Sequence, residues 1–457
     1  MQMTQENPLK AKVRDALTEG NLKKLKAVFK ENDVADIAEI LAETESPSSW
    51  ELFNLIPRSR KVGVFSFLEI DKQIELIEAL PEAVLSRLLN EMEPDNRTRL
   101  LEELPKDMHQ HILHLLSPSE LAVTKTLLSY PEDSVGRLMT PDFLALKQSM
   151  KVSQALEYIH WSQTLPVEHL NYFFVTGDDS KLIGEVSLAS LVVCDPATKP
   201  LSEIMKKNYV FLHPEQEQND AVEIFRKYDH SYIPVIDDHK VLLGIVTADD
   251  VFDVAEDEAT EDIHQFGGQG ALEEGYFQTP VWVLFQKRIG WLTVLLIGGF
   301  ISGEALKYFE SEIERWTFLS LCLPAILSAG GNSGTQAAAL IIRGFGIAEI
   351  SLGDYLRVLR KESLVSLILG ICMALFCYAR MVFWGFGQEV ALTISLSVWL
   401  VVIVGVIFGS MLPFLFQALK LDPAVASSPF ISTLVDVSGV LILFSVAKYF
   451  LIQFQRS

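Results

Sequence analysis

Hydrophobic and polar positions change their rhythm near residue 283. Beyond it, apolar residues run in five long blocks at about 289–306, 317–342, 364–386, 391–419 and 424–452, each close to or above the length of about 20 residues that a helix needs to cross a bilayer. Five membrane helices are therefore expected over 283–457. Before residue 283, apolar and charged positions alternate as they do in water-soluble domains. Within 1–132 the pattern is one of short amphipathic helices punctuated by prolines. Pro81, Pro94, Pro105 and Pro118 stand 13, 11 and 13 residues apart, and the intervals carry leucine-rich faces such as Leu100, Leu101 and Leu104 or Ile112, Leu113 and Leu116. A helix this short buries its face only by stacking on a neighbour, so an all-α helical-repeat domain, a superhelix, is predicted.

From residue 133 the pattern becomes a β/α alternation that occurs twice. The first unit, 133–199, runs from Gly-Arg-Leu-Met at 136–139 through Phe-Phe-Val at 173–175 to Leu-Ile-Gly-Glu-Val at 182–186 and Ser187. The second, 200–255, repeats it from Leu-Ser-Glu-Ile-Met at 201–205 through Tyr-Ile-Pro-Val-Ile at 232–236 to Leu-Gly-Ile-Val-Thr at 243–247 and Asp250. This internal duplication resembles a tandem pair of cystathionine-β-synthase-type (CBS) domains. The resemblance implies an α/β regulatory module that dimerises and binds adenine nucleotides or ions. It makes Thr247 and Asp250 the candidate holders of a nucleotide ribose, with ATP as the candidate cofactor; the first unit has Ser187 and Ser190 there and lacks the acid. The alternative, that Asp250 belongs only to an acidic surface, stays open.

That surface continues into a connector over 256–282. Helical spacing puts Asp250, Asp253, Asp257 and Glu261 on one stripe, with Asp249 and Glu258 beside it, where like charges repel unless something neutralises them. A solvated acidic face is one reading. Because this helix leads straight to the apolar blocks, the expectation is a cation sensor, since carboxylate oxygens are the ligands of hard divalent ions. Gly267, Gly268 and Gly270 follow as a helix stop and hinge.

The charge is unevenly spread. Of 38 Lys+Arg and 59 Asp+Glu, 12 and 10 fall in 283–457, which leaves 26 and 49 in residues 1–282, a net of −23. Such a region repels nucleic acid and attracts cations. The four cysteines form no CxxC pair, so neither a disulfide framework nor a zinc site is indicated. The start of the chain is polar, with no apolar stretch of a signal peptide. The soluble region is thus expected in the cytosol and, with five spans, the C-terminus outside. Flanking charges agree weakly: Lys287, Arg288, Arg343, Arg357, Arg360, Lys361 and Lys420 inside, against Lys307, Arg315, Arg380, Lys448 and Arg456 outside.

Asp436 sits in the last apolar block, and a charge at bilayer depth costs at least about 2.5–3.5 kcal/mol unless it faces a polar pathway or a partner. Packing glue between helices is the competing reading. The second block contains Pro324 and the run Gly-Gly-Asn-Ser-Gly-Thr-Gln at 330–336. Proline and glycine loosen helical hydrogen bonding, and backbone groups freed at bilayer depth persist only where they are buried or line water. Asn332 and Asp436, each near the middle of its block, are expected to meet at one level.

These membrane motifs, Pro324-Ala325, Gly331-Asn332, Gly334 and Gln336 in the second block and Asp422-Pro423-Ala424, Pro429, Thr433 and Asp436 in the fifth, resemble those of the MgtE family of magnesium transporters and channels. The resemblance covers the full length and implies a prokaryotic inner-membrane homodimer whose pore lies on its axis. It implies Mg²⁺ as the transported ion and names Asp436, Asn332, Gly331 and Thr433 as pore residues. The connecting helix becomes a plug, and Asp95 joins Asp249, Asp250, Asp253, Asp257, Glu258 and Glu261 as the regulatory Mg²⁺ set that closes the pore. Coordination chemistry agrees: Mg²⁺ dehydrates reluctantly and suits one or two carboxylates that contact its water shell. No histidine lies in any block, so soft metals are disfavoured. An enzyme is not expected, because no nucleophile elbow, HExxH or phosphate-loop motif occurs. The competing functions are a broader Co²⁺/Mn²⁺ carrier, a CBS-bearing chloride channel, which Asp436 opposes, and a membrane-anchored nucleotide or ion sensor that transports nothing.

Overall fold

The computed structural model describes residues 8–19, 21–44, 48–162, 171–194, 199–272, 276, 279–347 and 349–454, and Arg456 lies outside them. It divides into two compact units, residues 1–254 and 255–457.

Among the described residues the first unit opens with ten helices, from Pro8–Thr18 to Pro118–Leu127. The prolines act as helix starts. Pro57, Pro81 and Pro105 are N-caps and Pro94 and Pro118 occupy the first turn, where a missing N–H costs nothing. Helices pack on the next but one: Val34–Ala42 on Arg58–Ser66, that on Glu82–Glu91, and that on Lys106–Leu115. This is the expected repeat stacking, and it buries Leu76, Leu85, Leu89, Leu101 and Ile112 in one continuous core. The guanidinium of Arg97 is wholly buried within it, paired with Glu120 at 2.6 Å and with Thr124 Oγ1 at 2.8 Å.

The duplication is visible strand by strand. In the first half β1 (Ala145–Lys147) pairs parallel with β2 (Tyr172–Thr176), which pairs antiparallel with β3 (Leu182–Ser187). In the second half β4 (Tyr232–Ile236) pairs antiparallel with β5 (Leu242–Thr247). Val175 faces Gly184 and Val235 faces Gly244, each just before the same register shift. The two glycines are required by close approach: a Cβ on Gly184 would lie 2.7 Å from Lys206 O, and one on Gly244 2.7 Å from Thr140 O. Consequently the short N-terminal helices are exchanged between the halves. Val135 and Met139 pack with Phe225, Ile233 and Val246 of the second half, whereas Leu201 packs with Val152, Phe173 and Val186 of the first. The boundaries at 133–199 and 200–255 give each half its own preceding segment; β-hairpin glycines that admit only the other segment's backbone explain the exchange.

Among the described residues of the second unit four helices are long and apolar enough to cross a membrane, Val281–Tyr308, Leu352–Phe383, Gln388–Ala418 and Ser428–Leu451. A further long helix, Thr317–Gly346, falls second in order and is diluted by its Gly-Gly-Asn-Ser-Gly-Thr-Gln run. It stays continuous through Pro324 rather than breaking. The fifth long helix, Ser428–Phe454, starts later than its apolar block, after a 3-10 turn at Pro423–Val425 that Asp422 caps by accepting from Ala424 N at 2.8 Å. The fourth long helix lies centrally, against the second, third and fifth. Its contact with the second is a glycine seam: Cβ atoms on Gly405 or Gly409 would overlap the carbonyl oxygens of Gly330 and Gly334, the small-residue approach that helices use where burial from water gives no driving force. At the far end of the fifth helix Lys448 pairs with Glu312 of Glu310–Arg315 at 3.0 Å.

Candidate functional site

The second and fifth long helices run antiparallel, and glycine contacts set their register. A Cβ on Gly334 would lie 2.9 Å from Ile431 Cγ2, one on Gly331 3.4 Å from Ser432 Oγ, and one on Gly330 2.8 Å from Val435 Cγ1. A Cβ on Gly439 would overlap Leu327 Cδ2, and the hydroxyls of Thr335 and Ser428 stand 3.3 Å apart. Asp436, between Val435 and Gly439, is therefore level with Ser328, between Leu327 and Gly330. Asn332 is level with Ser432, one helical turn, about 5.4 Å, from the carboxylate. The single level expected for Asn332 and Asp436 is thus two adjacent levels. Ser328 joins them, since Asn332 Nδ2 donates to Ser328 Oγ at 3.2 Å.

Asp436 is half-buried and has no hydrogen-bond or ion-pair partner among the described residues. Ser328, Asn332 and Gln336 follow one another on the exposed face of their helix, at the i, i+4 spacing that makes helical residues neighbours. Gly331 is buried and offers backbone only. Thr433 is turned elsewhere: its Oγ1 donates to Pro429 O at 2.9 Å, and its methyl fills the space where Gly298 has no Cβ.

The acidic helix Ala248–Phe266 contributes to both units, so its carboxylates form two separate groups. In the first unit Asp250, in the helix's first turn, accepts from the Thr247 hydroxyl at the end of β5. Burial, and then the neighbouring Asp249, push its carboxyl up to about 7 against the pull of Thr247 and Arg99. Asp95, on helix Pro94–Glu103, is only 7% exposed, and its Oδ1 is buried without a partner among the described residues. Burial together with the charges of Asp250 and Glu93 holds it well above the ordinary carboxylate range. Asp253 is instead paired with Arg99 at 2.7 Å, and Asp249 is exposed.

The second group centres on Asp262 and Asp422, neither of them among the expected ion ligands. Asp262 lies against the end of the second long helix, its Oδ2 3.3 Å from where a Cβ on Gly346 would stand. Burial, then Asp422, Glu258 and Glu261, push it up to about 7. Asp422 is raised by its own burial and by Glu261. Gln265 Nε2 donates to Glu261 at 2.8 Å, while the carbonyl oxygens of Gln265 and Gln417 are buried without partners among the described residues. Asp257 and Glu258 are exposed on the same helix. Among the described residues no three His, Cys, Asp or Glu side chains converge on one point. Paired carboxylates of this kind suit an ion that keeps several of its waters.

In the CBS-like halves the Thr247–Asp250 hydrogen bond has a counterpart in Ser187 and Ser190, whose hydroxyls stand 2.8 Å apart. The two positions are equivalent in fold and differ in charge.

Family models place these features together. Residues 32–133 match the MgtE intracellular N domain, 201–257 the CBS domain, and 323–446 the MgtE divalent cation transporter. The magnesium transporter MgtE of Thermus thermophilus is 33% identical over 98% of this chain and 99% of its own length; that of Bacillus subtilis is 31% identical over 74% of both. Among solved structures, the cytosolic domain of the Mg²⁺ channel MgtE in complex with ATP matches at 30% identity and a TM-score of 0.50, covering 54% of this chain and 99% of that one. The soluble part of a magnesium transporter matches at 25% identity and 0.51, covering 55% and 98%. The helical domain, the duplicated α/β module and the long apolar helices that frame Asp436 thus have one common explanation: the chain belongs to the MgtE family of divalent cation transporters.

Proposed function

We propose that this protein is a homodimeric prokaryotic inner-membrane channel for Mg²⁺, with Asp436 as its central ion-binding residue. The observation that carries the reading is the Asp436 carboxylate, unpartnered among the described residues in a long apolar helix, beside an exposed Ser328–Asn332–Gln336 stripe. An anion at that depth is retained where it serves an ion path. The second long helix crosses the membrane with the other four, its polar stripe turned to the path. The ion passes with its water shell, so carboxylate and carboxamide oxygens contact water hydrogens rather than the metal. Gly331 supplies close packing and Thr433 the support of the fifth helix, not ligands.

Control is inhibitory. The carboxylate pairs Asp95–Asp250 and Asp262–Asp422 repel in the compact arrangement, and cytosolic Mg²⁺ bound at each offsets that repulsion and favours a closed state. Asp249, Asp257, Glu258 and Glu261 raise the local cation concentration, and Asp253 acts through its pairing with Arg99. ATP binds the second CBS half beside Thr247 and Asp250. The N-terminus is cytoplasmic and the C-terminus outside.

Purified full-length protein in liposomes tests the reading: Mg²⁺ influx with Asp436 present and none with Asp436→Ala at equal incorporation. Influx that survives the substitution rejects the pore assignment. Single-channel recording with Mg²⁺, Mn²⁺, Co²⁺ and Ca²⁺ separates a channel from a broader divalent carrier, and an ATP-induced rise in melting temperature lost in Asp250→Ala checks the nucleotide site.

A further inference from the structure

We propose that Ser328 is a specificity-determining residue of the ion path, one that sets which end of the Asn332 carboxamide meets the passing ion. It rests on the reading of Asp436 and Asn332 as path residues. A carboxamide has two faces of opposite character, an oxygen that accepts hydrogen bonds and an NH₂ that donates them. Water molecules around a cation point their oxygens at the metal and their hydrogens outward, so a cation path needs the acceptor end. A half-turn of the same side chain would present donors and oppose the hydrated ion.

In the hydrogen bond from Asn332 Nδ2 to Ser328 Oγ, at 3.2 Å, the hydroxyl accepts and the donor end of the amide is engaged along the helix, which leaves Oδ1 as the free end. Both residues lie on the exposed face, four positions apart. Ser328 is also the residue of its helix that shares a level with Asp436, because the Gly330–Val435 and Leu327–Gly439 contacts bracket both. Its hydroxyl therefore lies level with the carboxylate and is bonded to the amide one turn away. The two polar levels operate as a single unit, with Ser328 as the joint.

The test is the ratio of Mg²⁺ to Ca²⁺ influx in liposomes containing full-length protein, measured for Ser328→Ala, Ser328→Thr, Asn332→Ala and the Ser328→Ala/Asn332→Ala double variant. Loss of one neutral hydrogen bond predicts about a fivefold drop in the ratio for Ser328→Ala. Ser328→Thr, which keeps a hydroxyl at the same atom, restores it. In the double variant the serine change adds nothing to Asn332→Ala. An unchanged ratio in Ser328→Ala beside a lowered one in Asn332→Ala, or effects that add in the double variant, overturns the inference and leaves the path reading standing. An unchanged ratio in Asn332→Ala removes Asn332 from the path and overturns the inference with it, while Asp436 keeps its own test. If Ser328→Ala assembles poorly, Ser328→Cys against Ser328→Thr makes the same comparison, since a thiol is a weak acceptor.

Discussion

A side-chain carbon on Gly334 would lie 2.6 Å from the carbonyl oxygen of Gly405. The second and fourth long helices touch backbone to backbone there, and the same seam holds Gly330 and Asn332 in register with the fifth helix. Adding one methyl at Gly334 forces it against the Gly405 backbone, which cannot swing aside as a side chain can, and against Ile431 Cγ2 at 2.9 Å. Gly334→Ala should destabilise the protein by about 1–3 kcal/mol and Gly334→Val by more. Melting temperature in detergent, read with Mg²⁺ influx, checks this, and a Gly334→Val protein of native stability and flux would show that the seam tolerates a wider helix spacing.

Asp436→Asn is the sharper companion to the alanine variant. It keeps the shape and removes the charge, so packing glue and ion ligand give opposite results. The expectation is normal expression, dimer content and melting temperature with Mg²⁺ influx reduced at least about a hundredfold, the effect of about 2.7 kcal/mol or more lost from ion binding at the central level. Retained influx with a lowered melting temperature would instead make Asp436 a structural residue.

Asp436 is legible in the amino-acid sequence because a charge interrupts an apolar block, which physics penalises and sequence displays. The proline spacing and the duplicated strands are legible for a similar reason, being periodic. Ser328 is not: a serine in a membrane helix is ordinary, and only the antiparallel register set by Gly330, Gly331 and Gly439 puts it level with Asp436. The same limit hides the pairing of Asp262 with Asp422, which stand 160 positions apart in the chain and are brought together by folding. It also hides the exchange of Met139 and Met205 between the CBS-like halves, since each segment's nearest strand in sequence is not its partner in space.

Asp262→Asn should uncouple the acidic helix from Mg²⁺. The wild-type carboxyl is half-buried near Asp422, Glu258 and Glu261, so without a cation the helix is held in place against repulsion. Removing the charge relieves the repulsion and removes a ligand oxygen. Hydrogen exchange over Ala248–Phe266 should therefore slow in the Mg²⁺-free variant, and the further slowing on adding millimolar Mg²⁺ should shrink. An Mg²⁺-induced slowing equal to wild type would remove Asp262 from the sensing set.

The pH dependence of stability follows from the same burial. Asp250 and Asp262 rise from an ordinary value of 3.8 to about 7, and Asp95 rises well above it. A carboxyl raised on folding binds its proton more tightly in the folded state. Its contribution is fully present below the ordinary value and is lost as pH climbs through about 7. With a chelator present, the melting temperature of the full-length protein should fall between pH 5.5 and pH 8, by about 5 °C or more. Saturating Mg²⁺ should restore most of that loss at pH 8 and add little at pH 5.5, because proton and cation relieve the same repulsion. Asp95→Asn should flatten both dependences, having one buried charge fewer to neutralise. An Mg²⁺ effect of equal size at the two pH values would show that the ion acts somewhere other than at these carboxyl pairs.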